Sequence, residues 1–230
     1  MRVKEVMLTE VAVLQRGASL LDASRLLINT QAGAIPVVDA EGGLVGIVSE
    51  FDLIRHVMAL SSDKGGAEGA ALSDLVKGPL AAPVDTLMTS EVVSVVEDAE
   101  LEAAAQLMLQ HRTKRLPVVR ARAVVGMVAR LDLMKALIAG SRDAKAPPGE
   151  GISDDQLRQN VMIALRQLGV PLGSGFDVVA NRGVVHLWGE VLDEALYGTC
   201  QAAVAKVAGV LDVFNHMNIR RAGRSRSARA

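Results

Sequence analysis

The sequence predicts an α+β protein in which two copies of a β-α-β-β-α repeat precede a small α-β-β-α-β domain. Self-similarity at a constant spacing predicts the repeat. Met7 matches Met88, and the Pro-Val-Val string that begins at Pro36 matches the one that begins at Pro117, in both cases 81 residues apart. A change of pattern beyond the Gly- and Pro-containing stretch at 140–152 predicts that the last domain is separate.

Composition limits the class of protein. The chain has 230 residues, of which 50% are hydrophobic and only 2% aromatic, so its cores must be built from aliphatic side chains. A net charge of −1 and the few aromatics argue against binding of nucleic acid. A single cysteine, Cys200, cannot form a disulfide within the chain and fits a reducing compartment. With no signal-type or membrane-spanning apolar run, the sequence predicts a cytoplasmic protein.

Each copy of the repeat has the same order of elements. A short strand, Val11–Leu14 or Val93–Val96, leads into an amphipathic helix whose apolar residues recur at helical spacing. Two β-rich runs and a closing helix follow, and in the first copy a Gly-containing turn joins the two runs. The predicted runs and closing helices are Ile35–Val38, Leu44–Val48 and Glu50–Leu60 in the first copy, and Leu116–Val119, Val124–Val128 and Arg130–Ala139 in the second. Because either copy alone would expose apolar faces, we expect the two copies to pack face to face.

Two long strings carry a family resemblance. GAIPVVDAEGGLVGIVSEFDLIRHV and TKRLPVVRARAVVGMVARLDLMKAL resemble tandem cystathionine-β-synthase (CBS) domains, the paired unit called a Bateman module. The VMLT and TLMTSEVVSV strings are similar to the family's opening segment. On this resemblance the repeats span residues 1–62 and 84–140, with a linker at 63–83. It implies a ligand cleft between the copies and an adenine nucleotide such as AMP, ADP, ATP or NAD as a regulatory ligand, with no obligatory cofactor.

A candidate ligand motif lies in the first copy where a strand ends and a helix begins. The string is Ser49-Glu50-Phe51-Asp52, and the backbone N–H groups and dipole of a helix start favour an anion. Ser49 can donate its hydroxyl to a phosphate, and Asp52 can accept from two ribose hydroxyls. The S/T-x-x-D motif of the family has these two roles. The same spacing is also that of a helix-capping box, so both interpretations stay open.

The second copy has a different string at the equivalent place, Ala129-Arg130-Leu131-Asp132. Because Ala129 has no capping hydroxyl, capping alone leaves Asp132 without a partner, and this favours a ligand role for the acid. The resemblance implies Asp132 for the ribose and Arg130 for the phosphate. The two sites are expected to be unequal, with the Arg130 site preferred for a polyphosphate because Glu50 stands near the expected phosphate of the other site.

Further candidate ligand residues precede the apolar strands of both copies. The resemblance implies backbone contact with adenine from the dipeptides Ile35-Pro36 and Leu116-Pro117, for which ordinary strand packing is the alternative. Lys114 and Arg115 would add positive charge at the cleft, or else are a solvated helix end.

The last domain has its own pattern of elements. A helix capped by Ser153 or Asp154 and stopped by Gly169 is expected first. A hairpin, a helix and a final strand should follow, at Phe176–Ala180, Val184–Glu190, Asp193–Val207 and Val210–Ile219. The strings VVHLWGEVLDEA and AVAKVAGVLDVFNHMNI resemble a BON domain over residues 153–220. The resemblance implies an interaction domain for protein or phospholipid. Composition predicts a Gly- and Pro-containing linker before it at 141–152 and a basic, disordered tail after it at 221–230.

The leading hypothesis is a regulatory, signal-transduction protein that binds an adenine nucleotide and relays its presence to the BON-like domain. No catalytic or metal-ligand pattern is present, so we expect no enzymatic activity. Alternatively, the repeats form a ligand-free dimerisation scaffold or adaptor, with protein or membrane contact through the last domain. By analogy with tandem CBS proteins we expect a homodimer, and an unidentified protein partner is plausible. His186 is expected to be structural and Cys200 to be a buried small hydrophobe.

Overall fold

The computed structural model describes residues 1–63, 79–142, 152–170 and 176–220. The chain divides into two compact units, Met1–Leu133 and Met134–Ala230. Most of the two predicted linkers and the whole predicted basic tail lie outside the described residues.

The first unit contains the tandem repeat, and the predicted order of elements is confirmed in both copies. The opening strands differ from the prediction, because only two residues of each pair with the next strand: β4 keeps the last two predicted residues, whereas β1 begins at Leu14 and extends one residue beyond the predicted end. The first copy consists of β1 (Leu14–Gln15), α1 (Leu20–Thr30), β2 (Ala34–Val38), β3 (Leu44–Ser49) and α2 (Glu50–Asp63). The second copy consists of β4 (Val95–Val96), α3 (Leu101–Gln110), β5 (Arg115–Arg120), β6 (Ala123–Ala129) and α4 (Arg130–Arg142), and α4 continues into the second unit.

Both copies form the same three-stranded sheet. β1 runs parallel to β2, which is antiparallel to β3, and β4, β5 and β6 repeat this arrangement. α1 buries one apolar stripe against the sheet of its own copy, as its helical periodicity predicts. The core of the first copy includes Leu20, Ala23, Leu27, Ile35, Val37 and Val48.

The segment that opens the first copy packs on the second copy. We call residues 1–8 leader 1. The Val3 N–H donates to the Ala99 carbonyl at 2.9 Å, and Leu8 exchanges two backbone hydrogen bonds with Met127 in β6, at 2.8 and 2.9 Å. Leader 1 therefore extends the sheet of the second copy, although it is close in sequence to the first.

The equivalent segment of the second copy, residues 82–89 or leader 2, packs on the first copy with the same bonds. The Val84 N–H donates to the Ala18 carbonyl at 2.7 Å, and Thr89 exchanges two backbone hydrogen bonds with Ile47 in β3, at 2.9 and 3.0 Å. Each copy thus completes the sheet of the other. The sequence pattern, which places each leader with its own copy, did not predict this exchange.

The second unit contains the predicted α-β-β-α-β domain. Its elements are α5 (Asp154–Gln167), β7 (Phe176–Asn181), β8 (Val184–Val191), α6 (Glu194–Val204), β9 (Asp212–Asn215) and β10 (Asn218–Ile219). β7 is antiparallel to β8, and both β9 and β10 run parallel to β8. The predicted single last strand is interrupted, because the Asn215 side chain accepts the Met217 N–H at 3.0 Å in place of a ladder bond. The core includes Leu157, Val161, Leu165, Val178, Leu187, Cys200 and Val204.

Candidate functional site

The motif of the first copy forms a complete capping box. Asp52 accepts two hydrogen bonds on Oδ2, from the Ser49 N–H at 3.0 Å and from the Ser49 hydroxyl at 2.6 Å. The Ser49 Oγ in turn accepts the Asp52 N–H at 3.3 Å. The Asp52 side chain is 19% exposed, so its carboxylate is neither deeply buried nor fully solvated. The capping interpretation accounts for the local geometry, and it fixes both side chains at the N-terminus of α2.

The motif of the second copy overturns one step of the sequence argument. Asp132 was expected to have no partner in a purely structural arrangement, but its Oδ2 accepts the Ala129 N–H at 2.7 Å. This bond needs only the backbone of residue 129, so a missing hydroxyl does not prevent it. The presence of an acid in both copies is therefore explained by capping and does not by itself indicate a ligand.

Arg130 and Lys114 lie together at the start of α4 in the second copy. Both side chains are exposed. The Arg130 N–H donates to the Lys114 carbonyl at 3.1 Å, and Arg130 Nε donates to the Thr113 carbonyl, also at 3.1 Å. Thr113 further orders the segment, because its hydroxyl donates to the Arg115 carbonyl at 2.9 Å. Thr113 was not among the predicted site residues, and its only mark in the sequence is a hydroxyl residue directly before the basic pair.

Arg115 crosses from the second copy to the first. Its half-buried guanidinium lies against Gly33, so closely that a Cβ built on Gly33 would overlap the Nη1 atom. The Gly33 carbonyl accepts the Glu50 N–H at 3.4 Å, which places Gly33 at the start of α2. Arg115 therefore brings a positive charge from the second copy to the region of the Ser49–Asp52 motif. Ala34 occupies the equivalent position in the first copy, so this position carries no cation there.

The two candidate dipeptides before the strands are buried. Ile35 and Leu116 have no exposed surface, and Pro36 and Pro117 are also buried. Pro36 is paired with Ile47 in the antiparallel ladder, as Pro117 is with Met127. Packing accounts for these side chains, so any contact with a ligand must come from their backbone, as the resemblance implies.

The second unit contains a compact group of stacked rings outside the candidate motif. His186 is fully buried, and its Nδ1 lies 3.0 Å from His216 Nε2. The rings of Trp188 and His216 stack with centroids 4.7 Å apart, and His186 stacks on Phe214 at 5.1 Å. The expectation that His186 is structural fits this burial. Cys200 is buried as expected, and burial raises the pKa of its thiol.

Two kinds of feature are absent from the described residues. Within ranges 1–63, 79–142, 152–170 and 176–220, no group of three or more His, Cys, Asp or Glu residues has a geometry that would hold a metal ion. In the same part of the chain, no helix combines the length and apolar character needed to cross a bilayer.

Comparison with known proteins identifies both domain types. The CBS domain family matches residues 3–59 and 84–139, and the BON domain family matches residues 153–221. The CBS domain-containing protein YhcV of Bacillus subtilis is 35% identical over 131 residues, which are 57% of this chain and 81% of YhcV.

Two solved structures are similar to the first part of the chain. The CBS domain of a CBS domain containing membrane protein from Sphaerobacter thermophilus is 27% identical, covers 59% of this chain and 86% of its own, and has a TM-score of 0.50. A structure of CBSX2 in complex with AMP is 30% identical and covers 61% of this chain and 98% of its own, with a TM-score of 0.49. The match to the CBS and BON domain families and the 35% identity to YhcV show that the chain belongs to the CBS domain proteins, with a pair of CBS domains followed by a BON domain.

Proposed function

We propose that the CBS pair binds an adenine nucleotide as a regulatory ligand, not as a substrate, in the cleft that the family resemblance implies between the repeats. The observation that carries the proposal is the position of Arg115 from the second repeat beside Gly33, at the start of α2 in the first repeat. A guanidinium next to a helix N-terminus gives an anion both a charge partner and backbone donors.

In the proposed complex, Arg115 and the N-terminus of α2 bind the phosphate, while the Ser49 hydroxyl stays on Asp52. Asp52 accepts from the ribose hydroxyls. Its bonds to Ser49 do not prevent this, because both fall on Oδ2 and a carboxylate offers about four acceptor positions on two oxygens. The capping box then acts as the support that holds the ribose acceptor in place.

The two halves of the cleft are proposed to be unequal. At the site near the start of α4, the position equivalent to Arg115 is occupied by Ala34. The cations of that site, Arg130 and Lys114, are exposed. Water and salt weaken exposed charges more than half-buried ones. We therefore expect the site near Ser49 to bind phosphate more tightly, despite the exposed Glu50, which reverses the preference derived from the sequence.

Calorimetric titration tests this proposal with AMP, ADP, ATP and NAD on the whole chain. Arg115→Gln should weaken the tighter site about tenfold or more, because it removes a charge-assisted hydrogen bond. Arg130→Gln should change only the weaker site. Lys206→Gln, at an exposed lysine of the second unit, is the matched control. Two equal sites, or no binding by the native chain at millimolar nucleotide, would contradict the proposal.

A relay to the BON domain is proposed through α4, the helix that follows the second motif. One turn after Asp132, Lys135 Nζ lies 2.7 Å from Asp177 Oδ2 in β7, and both residues belong to the second unit. Their side chains are 23% and 19% exposed, so solvent screens this pair only in part. A ligand that binds one position of α4 better than another would shift Asp177 through Lys135.

Self-association is proposed through an apolar stripe on α2. Phe51, Ile54 and Met58 are 67%, 61% and 62% exposed and recur at helical spacing on one face. Three large apolar side chains exposed in a row are typical of an interaction surface. This stripe also favours the second candidate function, a ligand-free dimerisation scaffold, if the titrations show no binding.

A further inference from the structure

The two leaders carry opposite charges at equivalent positions, and so do the surfaces on which they pack. Leader 1 has Lys4 where leader 2 has Asp85. The second repeat has Glu97 where the first has Arg16. Each leader therefore packs on a surface whose charge is opposite to its own.

Leader 1 makes its charged contacts with the acidic surface of the second repeat. Lys4 Nζ lies 2.8 Å from Asp98 Oδ1, and Arg2 Nη1 lies 3.3 Å from the same oxygen. The Lys4 N–H also donates to the Glu97 carbonyl at 2.9 Å, so the backbone and the side chain of Lys4 bind at one place. The hydrogen bond and charge of Lys4, and then those of Arg2, lower the pKa of Asp98 below its usual range.

Leader 2 makes the reversed contact on the first repeat. Arg16 Nε donates to Asp85 Oδ1 at 2.7 Å, and the Gly17 N–H donates to Asp85 Oδ2 at 2.8 Å. The Gly17 N–H, and after it Arg16, lower the pKa of Asp85. The carboxylate is thus charged at neutral pH and bound by groups of the opposite repeat.

A third pair of equivalent positions is also reversed. Arg120 in the second repeat stands where the first repeat has Asp39. Arg120 Nη2 donates to Glu97 Oε2 at 2.6 Å, and this bond and the charge of Arg120 lower the pKa of Glu97. Arg120 and Glu97 both belong to the second repeat, so this third reversal lies beside the surface on which leader 1 packs and is not itself a leader contact.

Several other docking contacts are the same on both repeats. The bonds of Val3 and Leu8 have counterparts at Val84 and Thr89, and each leader places a methionine against a glycine: Met7 on Gly126, and Met88 on Gly46. Backbone and methionine alone would therefore allow a leader to pack on its own repeat. The reversed charges at Lys4 and Asp85, and at Arg16 and Glu97, favour the observed pairing over the incorrect one.

We propose that these reversed charges are a pairing code that directs each leader to the opposite repeat. Leader 1 on its own repeat would bring Lys4 next to Arg16, and leader 2 on its own repeat would bring Asp85 next to Glu97. Both are like-charge contacts well inside the Debye length of about 8 Å, so salt does not cancel them at physiological ionic strength. Correct pairing keeps the two repeats in the arrangement in which Arg115 of the second repeat lies against Gly33 of the first.

Disulfide trapping on the whole chain measures which repeat leader 2 packs on. Thr89→Cys with Ile47→Cys reports leader 2 on the first repeat, because a hydrogen-bonded antiparallel pair has a Cα separation of about 5.5 Å, within disulfide range. Thr89→Cys with Met127→Cys reports leader 2 on its own repeat at the equivalent position. All variants carry Cys200→Ala. With the native charges the first pair should be trapped and the second should not.

Exchange of the leader charges, by Lys4→Asp together with Asp85→Lys, should change the ratio of the two trapped forms at least about threefold toward self-pairing. The shift should shrink in 0.5 M NaCl. An unchanged ratio in the exchanged chain overturns the code.

A stability measurement covers the case in which the exchanged chain does not fold. Lys4→Asp alone should lower Tm by about 2–4 °C, and addition of Asp98→Lys should restore part of that loss, because the new lysine pairs with the new aspartate at position 4 but repels Arg2. The matched control is Lys206→Asp, a charge reversal at an exposed lysine of the second unit. A Tm loss for Lys4→Asp no larger than that of the control, or no recovery in the double variant, overturns the proposal.

Discussion

Gly46 and Gly126, both in the first unit, are needed because a leader packs so closely on them that no side chain fits; neither has a positive φ. A Cβ on Gly126 would lie 2.7 Å from Met7 Sδ and 2.8 Å from the backbone oxygen of Leu8. A Cβ on Gly46 would meet only the side chain of Met88 among its three nearest atoms. The space beside the glycine is therefore bounded by a backbone oxygen in the second repeat and by a flexible methionine side chain in the first.

This difference predicts that Gly126→Ala is the more damaging of two chemically identical substitutions. Backbone cannot move aside as a methionine side chain can, so overpacking at Gly126 should cost about 1–3 kcal/mol of the free energy of unfolding. Gly46→Ala should cost less, since Met88 can adopt another rotamer. Urea unfolding of the two variants checks the order, and an equal or greater loss for Gly46→Ala would contradict it.

At the scale of elements, α2 has two faces with different tasks. One face starts at the Ser49–Asp52 capping box and buries Leu53 in the repeat. The other exposes the stripe of Phe51, Ile54 and Met58. An amphipathic helix normally directs polar residues to water, so the exposed stripe is the feature of α2 that its own repeat does not explain.

The proposed self-association makes a prediction for this helix. Ile54→Glu places a charge in the middle of the stripe and should convert dimer to monomer in sedimentation velocity at micromolar concentration, because an unpaired charge in an apolar interface is strongly unfavourable. Arg25→Glu, at an exposed position of α1, is the control and should leave the mass unchanged. A native chain that is already monomeric, or a dimeric Ile54→Glu variant, would refute the interface.

At the scale of the whole molecule, α4 is the element that belongs to both units. It contains Asp132 in the first unit and Lys135 in the second. Asp177 is held by more than Lys135, because Arg158, which is 4% exposed, places Nη2 3.5 Å from Asp177 Oδ1. Loss of Lys135 should therefore remove the ion pair between α4 and β7, while Arg158 still places a positive charge beside Asp177.

Lys135→Gln is accordingly expected to separate ligand binding from its effect on the second unit. Its affinity for AMP should equal that of the native chain, and its loss of stability should stay near 1 kcal/mol or less for a partly exposed pair. The change that AMP causes in hydrogen exchange of residues 176–181 should fall by at least about half. Lys206→Gln should keep the full change. A full response in Lys135→Gln would rule out this route.

The sequence by itself determined the α+β class, the order of elements in both repeats and in the last domain, and the helix-start motifs. Those features are encoded by hydrophobic periodicity and turn residues over short stretches, as at α1 and in the hairpin of β7 and β8. It also identified the CBS and BON resemblances, which the comparisons confirm. The exact ends of strands were less well predicted, because pairing, not composition, ends a strand.

Only the tertiary structure decided the exchange of the leaders, the backbone partner of Asp132 and the crossing of Arg115 to Gly33. The exchange joins residues such as Val3 and Ala99, which lie far apart in the chain, through backbone groups that every residue has. No side-chain pattern displays such bonds in advance. The reversed charges of Lys4 and Asp85 are visible in the sequence, but they acquire a meaning only when the fold shows which surface each leader contacts.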